Sequence, residues 1–177
     1  MAQRLPSQTA AIVVMGVSGA GKSTIASRLA ARLKRPLVEG DSLHPPNNIA
    51  KMSQGTPLND DDRLPWLKAI AARIDEARKA GQPVIVTCSA LKRSYRATLA
   101  DGHDDVGFVY LQGAKDLIAQ RLAARTNHFM PPGLLDSQFS ALEEPAEDEP
   151  SIVIAIDAAP DDIVASIVEK FAVEIRS

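Results

Sequence analysis

The chain has 177 residues, 45% of them hydrophobic and 24% charged, which is ordinary for a globular domain and enough apolar material for one sizeable core. A formal net charge of −2 gives no electrostatic footprint for nucleic acid, and a single cysteine, Cys88, excludes an intramolecular disulfide. The apolar run Ala10 to Met15 is far shorter than the ~20 residues that span a bilayer and leads into a structural motif rather than a cleavage site, so the expectation is a soluble cytoplasmic protein with neither nucleic-acid nor membrane partners.

Apolar runs alternate with helical patterns, which predicts βα units around a parallel sheet within one domain, 1–177. Ala11 to Met15 reads as a buried first strand, and the next helix carries Ile25, Leu29 and Leu33 on one face. Pro36 to Glu39 is a short second strand, closed by Gly40-Asp41. The polar stretch Ser42 to Asp62 is too long for a simple connector and predicts a helical piece near Asn48 to Gln54. Asp60, Asp61 and Asp62 supply the N-cap and first-turn charge of a helix through Leu67, Ile70 and Ile74, which Gly81-Gln82-Pro83 ends. Val84 to Cys88 is the third strand and Val106 to Leu111 the fourth, followed by a helix through Leu117, Ile118 and Leu122. Pro131-Pro132-Gly133 breaks that pattern, and a short helix is predicted around Leu135 to Leu142. Ile152 to Ile156 is the fifth strand, and Ile163, Ile167, Phe171 and Ile175 line one face of the last helix.

Gly16-Val17-Ser18-Gly19-Ala20-Gly21-Lys22-Ser23 matches G-x-x-x-x-G-K-[ST] between a predicted strand and a predicted helix, the context the motif requires. Glycines let the backbone curl so that successive N–H groups point at phosphate oxygens, and the helix that starts there adds its positive dipole end. Lys22 carries a full charge to the β and γ phosphates, and the Ser23 hydroxyl is the candidate Mg²⁺ ligand, so ATP and Mg²⁺ are the expected cofactors. Thr24, one residue on, is grouped with the ATP-binding residues. A P-loop alone does not name the reaction. The D-x-x-G of Asp104 to Gly107 precedes a strand and no N-K-x-D motif exists, which argues against a GTPase. Ile152 to Asp157 has the look of a Walker B strand but lacks a following acid, and a fifth buried strand is the simpler reading. His44, His103, His128 and Cys88 form no familiar metal-binding spacing, and Cys88 reads as a packed core thiol.

Ligands of open parallel sheets bind beyond the carboxyl ends of the strands, where Asp41 falls. A carboxylate there can accept the proton of an attacking hydroxyl; its alternative is a capping residue of the turn. The segments Gly40-Asp41-x-x-His44-Pro45-x-x-Asn48, Lys51-Met52-x-x-Gly55-x-Pro57-Leu58-x-Asp60-x-Asp62-Arg63-x-Pro65-Trp66-Leu67 and Cys88-Ser89-Ala90-Leu91-Lys92-x-x-Tyr95-Arg96 resemble the gluconokinase family. So do His128-Phe129-Met130-Pro131, Leu134-Leu135-x-Ser137-Gln138-Phe139 and Leu142-Glu143. With the P-loop these cover most of the chain in order. Likeness to the shikimate and adenylate kinase group lies mainly in layout.

The resemblance implies a P-loop NTPase fold, three-layer α/β/α with a five-stranded parallel sheet and a short lid, that phosphorylates D-gluconate at its 6-hydroxyl with ATP. It also implies a homodimer. An anionic polyol needs a cation for its carboxylate and fixed groups for its hydroxyls. Arg63, Lys92 and Arg96 are candidates for the first task, with Arg63 favoured because a guanidinium pairs bidentately with a carboxylate. Asp41, His44, Lys51 and Ser89 are candidates for the second. A solvated helix surface is the alternative for Lys51, Lys92 and Arg96, and core packing the simpler account of Trp66. By resemblance to the adenylate kinase group, Arg121 stacks on adenine, and Arg125, four residues on along the same helical face, reaches the transferring phosphates as a catalytic group beside Lys22 and Asp41. Thr126 to Leu135 resembles a short lid, with His128 in it a further substrate-binding candidate. Asn127 stands where many relatives carry Gly, and Glu39 where some carry Asp. The rivals are a nucleoside or shikimate-type kinase and a nucleotide-binding regulator without turnover.

Overall fold

Five strands form one parallel sheet in the order β2-β3-β1-β4-β5 in the computed structural model, which describes residues 9–125 and 132–175. The strands are β1 (Ala11–Met15), β2 (Leu37–Glu39), β3 (Val84–Thr87), β4 (Val106–Gln112) and β5 (Ser151–Ala155). The helices are α1 (Lys22–Leu33), α2 (Pro46–Ser53), α3 (Asp60–Ala80), α4 (Arg93–Ala100), α5 (Lys115–Ala124), α6 (Pro132–Ala141) and α7 (Pro160–Ile175). A 3₁₀ turn, Gly40–Leu43, links β2 to the segment before α2.

Strand side chains alternate faces, and on β1 that alternation divides the core. Ile12 and Val14 join Ile85, Val109 and Leu111 against Leu29 of α1, Ile118 of α5 and Ile163 and Ile167 of α7. Val13 and Met15 join Val86, Phe108 and Tyr110 against Trp66, Leu67, Ile70 and Ile74 of α3 and Tyr95 and Leu99 of α4. Every residue of β1 is inaccessible to solvent. Helices therefore cover both faces, giving the three layers that the sequence predicts, and each fully buried branched side chain adds about 1.5–3 kcal/mol.

Several boundaries differ from expectation for local reasons. The N-cap of α3 is Asn59: its side chain accepts from the Asp62 amide at 2.8 Å, and the Asp62 carboxylate accepts from the Asn59 amide at 3.0 Å. Asp60 is left to bond elsewhere. Helix α6 begins at Pro132, inside the stretch expected as lid, because proline is tolerated in a first helical turn where its missing N–H would be unpaired. The rest of that expected lid, 126–131, lies outside the described residues, as does His128. Arg125 is the C-cap of α5, with extended backbone (φ −84°, ψ 114°), so it does not continue the helical face that carries Arg121. Helix α4 has no counterpart among the elements read from the apolar pattern; it is short and follows a residue, Ala90, with left-handed φ of 46°. Among the described residues no helix is long and apolar enough to cross a membrane.

Candidate active site

Strand β1 has β3 on one side and β4 on the other, so the chain leaves it at the point where the strand order reverses. Crevices for ligands open beyond the strand ends at such a point. The loop Gly16 to Gly21 fills this position and feeds α1. Gly19 has φ of 86°, and a Cβ there would lie 2.7 Å from Leu122 Cγ of α5, so both backbone and space require glycine. The first turn of α1 has no side-chain cap and no acidic residue, which leaves its amides and dipole for an anion. Lys22 Nζ donates to the carbonyls of Gly16 at 3.0 Å and Val17 at 3.1 Å, bent back over the loop. Burial pushes this ammonium below its usual pKa; Asp41 and Glu39 pull it up, while Arg125 adds to the lowering. Asp41, Glu39 and Arg125 are thereby each in electrostatic reach of Lys22.

Two further bonds hold the loop. Gly16 N–H donates to Ser89 O at 3.3 Å, tying the loop to the turn after β3. Ser18 N–H donates to Gln138 Oε1 of α6 at 2.7 Å. Beside the loop, Ser23 Oγ donates to Glu39 Oε2 at 3.1 Å, and Thr87 Oγ1 donates to the same oxygen at 2.6 Å. Ser23 and Glu39 thus juxtapose a neutral and an anionic oxygen at the ends of adjoining elements, a donor set suited to a hard divalent cation. Thr24 is exposed in the first turn of α1.

On the acceptor side Gly40 is the pivot. A Cβ there would stand 2.1 Å from Thr87 O, so only glycine fits this approach of the 3₁₀ turn to β3. Its N–H donates to Thr87 Oγ1 at 3.1 Å and its carbonyl accepts from Trp66 Nε1 at 2.8 Å. Asp41, the next residue, is exposed, and among the described residues its carboxylate accepts no hydrogen bond, so it does not cap the turn. His44 stacks on Trp66 with ring centroids 4.0 Å apart. Trp66 therefore packs in the core and also supports the acceptor loop. Asn48 Nδ2 lies 3.2 Å from His44 Nδ1 and donates to Asp62 O at 2.9 Å, which fixes the amide and makes Nδ1 the acceptor. Burial lowers the His44 pKa, Asp41 opposes and Arg63 reinforces that shift, so the neutral ring presents Nε2–H as a donor.

The cations expected at the acceptor site, Arg63, Lys92 and Arg96 for a carboxylate and Lys51 for hydroxyls, fall into two groups. Lys51 pairs with Asp62 at 2.8 Å, Lys92 with Asp60 at 3.1 Å, and Arg96 with Glu149 at 2.6 Å. Arg63 instead donates Nη1 to the Tyr95 hydroxyl at 3.0 Å, and among the described residues its guanidinium has no carboxylate within ion-pair distance. Arg96 corrects the sequence expectation most clearly. It is 2% exposed, engaged by Glu149 and by Ala90 O at 2.8 Å, and braces the strained Ala90 rather than facing a ligand. It thereby supports the turn that carries Ser89, which is half-buried beside the P-loop. Arg121 donates to Ile156 O at 2.7 Å, anchoring α5 to the chain after β5. Burial pushes the Cys88 thiol up to about 12, consistent with a core thiol. Sequence reasoning missed Thr87, Tyr95 and Gln138 as site residues. Tyr95 and Gln138 lie within the quoted motifs, but nothing local marks their roles.

A phosphate-binding loop on one wall and a polar acceptor shelf on the other are the two halves of a P-loop kinase, the class to which fold and site assign the chain. The family described as AAA domain matches residues 12–145. The chain is 46% identical to a gluconokinase of Gluconobacter oxydans, an alignment covering 92% of each protein. It is 44% identical to the thermoresistant gluconokinase of Escherichia coli over 89% of this chain and 90% of that one. The crystal structure of a gluconokinase from Sinorhizobium meliloti superposes with a TM-score of 0.87 at 42% identity, covering 97% of this chain and 95% of the other. The chain belongs to the gluconokinase family.

Proposed function

We propose that the chain transfers the γ-phosphoryl group of ATP to the 6-hydroxyl of D-gluconate, giving 6-phosphogluconate in gluconate catabolism. One observation carries the assignment of roles: Gly16 N–H of the phosphate loop donates to Ser89 O at 3.3 Å, and Ser23 of α1 donates to Glu39, next to Gly40-Asp41, at 3.1 Å, so donor and acceptor groups meet at one end of the sheet. The amides of Gly16 to Ser23 and Thr24 cradle the phosphates, and Lys22 exchanges its backbone carbonyl partners for phosphate oxygens. Arg125 adds positive charge where the transferring group becomes most anionic. Ser23, with Glu39 beside it, would hold Mg²⁺, which when bound neutralises the β and γ oxygens. Arg121 lies at the end of α5 where it can bound the adenine site.

His44 Nε2–H and Ser89 orient the polyol, and Asp41 accepts the proton of the attacking hydroxyl. Arg63 takes the substrate carboxylate, because Lys51 and Lys92 already have carboxylate partners. Family membership also supports a cytoplasmic homodimer. The roles are tested by kinetics of two variants. Arg63→Ala is expected to raise KM for gluconate by at least about tenfold while basal ATP hydrolysis is unchanged. Asp41→Asn is expected to lower kcat by about 10²-fold or more. Equal losses of both activities in Arg63→Ala would contradict carboxylate recognition, and a kcat within threefold for Asp41→Asn would remove the base.

A further inference from the structure

The ring of Tyr95, 5% exposed, lies beneath two cations: the Arg63 guanidinium carbon and Lys92 Nζ are each 5.6 Å from its centroid. Its hydroxyl accepts from Arg63 Nη1 at 3.0 Å and donates to Asp60 Oδ1, while Lys92 Nζ donates to both oxygens of Asp60 at 3.1 and 3.3 Å. These bonds hold the Asp60 carboxylate below its ordinary range, the Tyr95 hydroxyl contributing most and Lys92 next. The pairing is asymmetric. Lys92 is neutralised by a carboxylate, whereas Arg63 is held by a phenol, which orients the guanidinium without cancelling its charge. A guanidinium has five N–H donors, and one engaged donor leaves a fork for a carboxylate.

Asp60 is also near enough for Arg63 to lower its pKa. The phenol therefore stands between a cation and an anion that attract one another. We propose that Tyr95 is a positioning residue that sets the preference for anionic acceptors: its hydroxyl occupies Asp60 and Arg63 together and keeps Arg63 available to a substrate carboxylate. Without the hydroxyl, Arg63 turns onto Asp60 and the acceptor site loses its charge. This rests on the reading of Arg63 as the carboxylate-binding group.

The test measures steady-state kinetics with D-gluconate and with its neutral amide, gluconamide, for the wild type, Tyr95→Phe, Arg63→Ala and the double variant Tyr95→Phe/Asp60→Asn. Tyr95→Phe keeps the ring and its packing. It is expected to raise KM for gluconate about tenfold, to reduce the preference for gluconate over gluconamide by a similar factor, and to leave KM for ATP within twofold. Removing the Asp60 charge in the double variant is expected to restore the KM for gluconate toward the wild-type value, which loss of a merely structural contact would not allow. Wild-type selectivity in Tyr95→Phe, with selectivity lost in Arg63→Ala, would overturn the inference and leave the role of Arg63 standing. Wild-type selectivity in Arg63→Ala would overturn that role and the inference with it. A Tyr95→Phe loss shared equally by ATP and gluconate, with a lowered melting temperature and no rescue, would reduce Tyr95 to a packing residue.

Discussion

His44 is a neutral imidazole by construction. A donor amide faces Nδ1, an indole covers one face, and burial together with Arg63 outweighs Asp41 in lowering its pKa. A histidine whose folded pKa is depressed binds fewer protons folded than unfolded, so its contribution to stability is present above its ordinary value of about 6.5 and is lost as pH falls through the folded pKa. The melting temperature is therefore expected to fall as pH drops below about 6.5, and His44→Gln is expected to flatten that part of the profile; an unchanged slope would show that His44 is not the titrating group. His44 stands out in the sequence because it sits three residues from Asp41 in a contiguous motif. Tyr95 and Thr87 do not, because their partners Asp60 and Glu39 are 35 and 48 residues away and meet them only once the sheet and α3 are assembled.

At the scale of elements, the P-loop is braced from outside itself. Gln138 of α6 accepts from Ser18 N–H across 120 residues, and the end of α6 is tied to the acceptor side by Glu143 N–H, which donates to Leu91 O at 2.7 Å. Leu135, buried, packs α6 into the core ahead of those bonds. Gln138→Ala is expected to raise KM for ATP about three- to tenfold while KM for gluconate stays within twofold, since one hydrogen bond to the donor loop is lost. An equal effect on both substrates would assign the bond to general stability. Buried elements with a strong pattern were read from sequence to within a residue or two. Helix α4 was missed because its eight residues carry two arginines and only a brief apolar face, and its stability comes from tertiary contacts such as Arg96 with Glu149. The cap of α3 was misplaced by one residue because three consecutive aspartates hide which side chain closes the box.

Over the whole molecule, five parallel strands place donor and acceptor machinery at one end of the sheet, beyond the carboxyl ends of the strands. β1 delivers the P-loop, β2 delivers Glu39 and Asp41, and β3, inserted between them, delivers Thr87 and Ser89. A parallel sheet built of βα units was legible from alternating apolar runs and its three layers from the family resemblance, but strand order was not, because five short apolar strands look alike until they pair. The insertion of β3 between β1 and β2 is what brings Thr87 to Glu39 and lets Gly40 approach Thr87 O. The most direct measurement is ADP release by the purified protein with MgATP and a panel of D-gluconate, shikimate and nucleoside monophosphates. The account predicts strong stimulation by D-gluconate alone, abolished by Lys22→Ala with the fold retained by circular dichroism; stimulation by another acceptor with none by gluconate would contradict it.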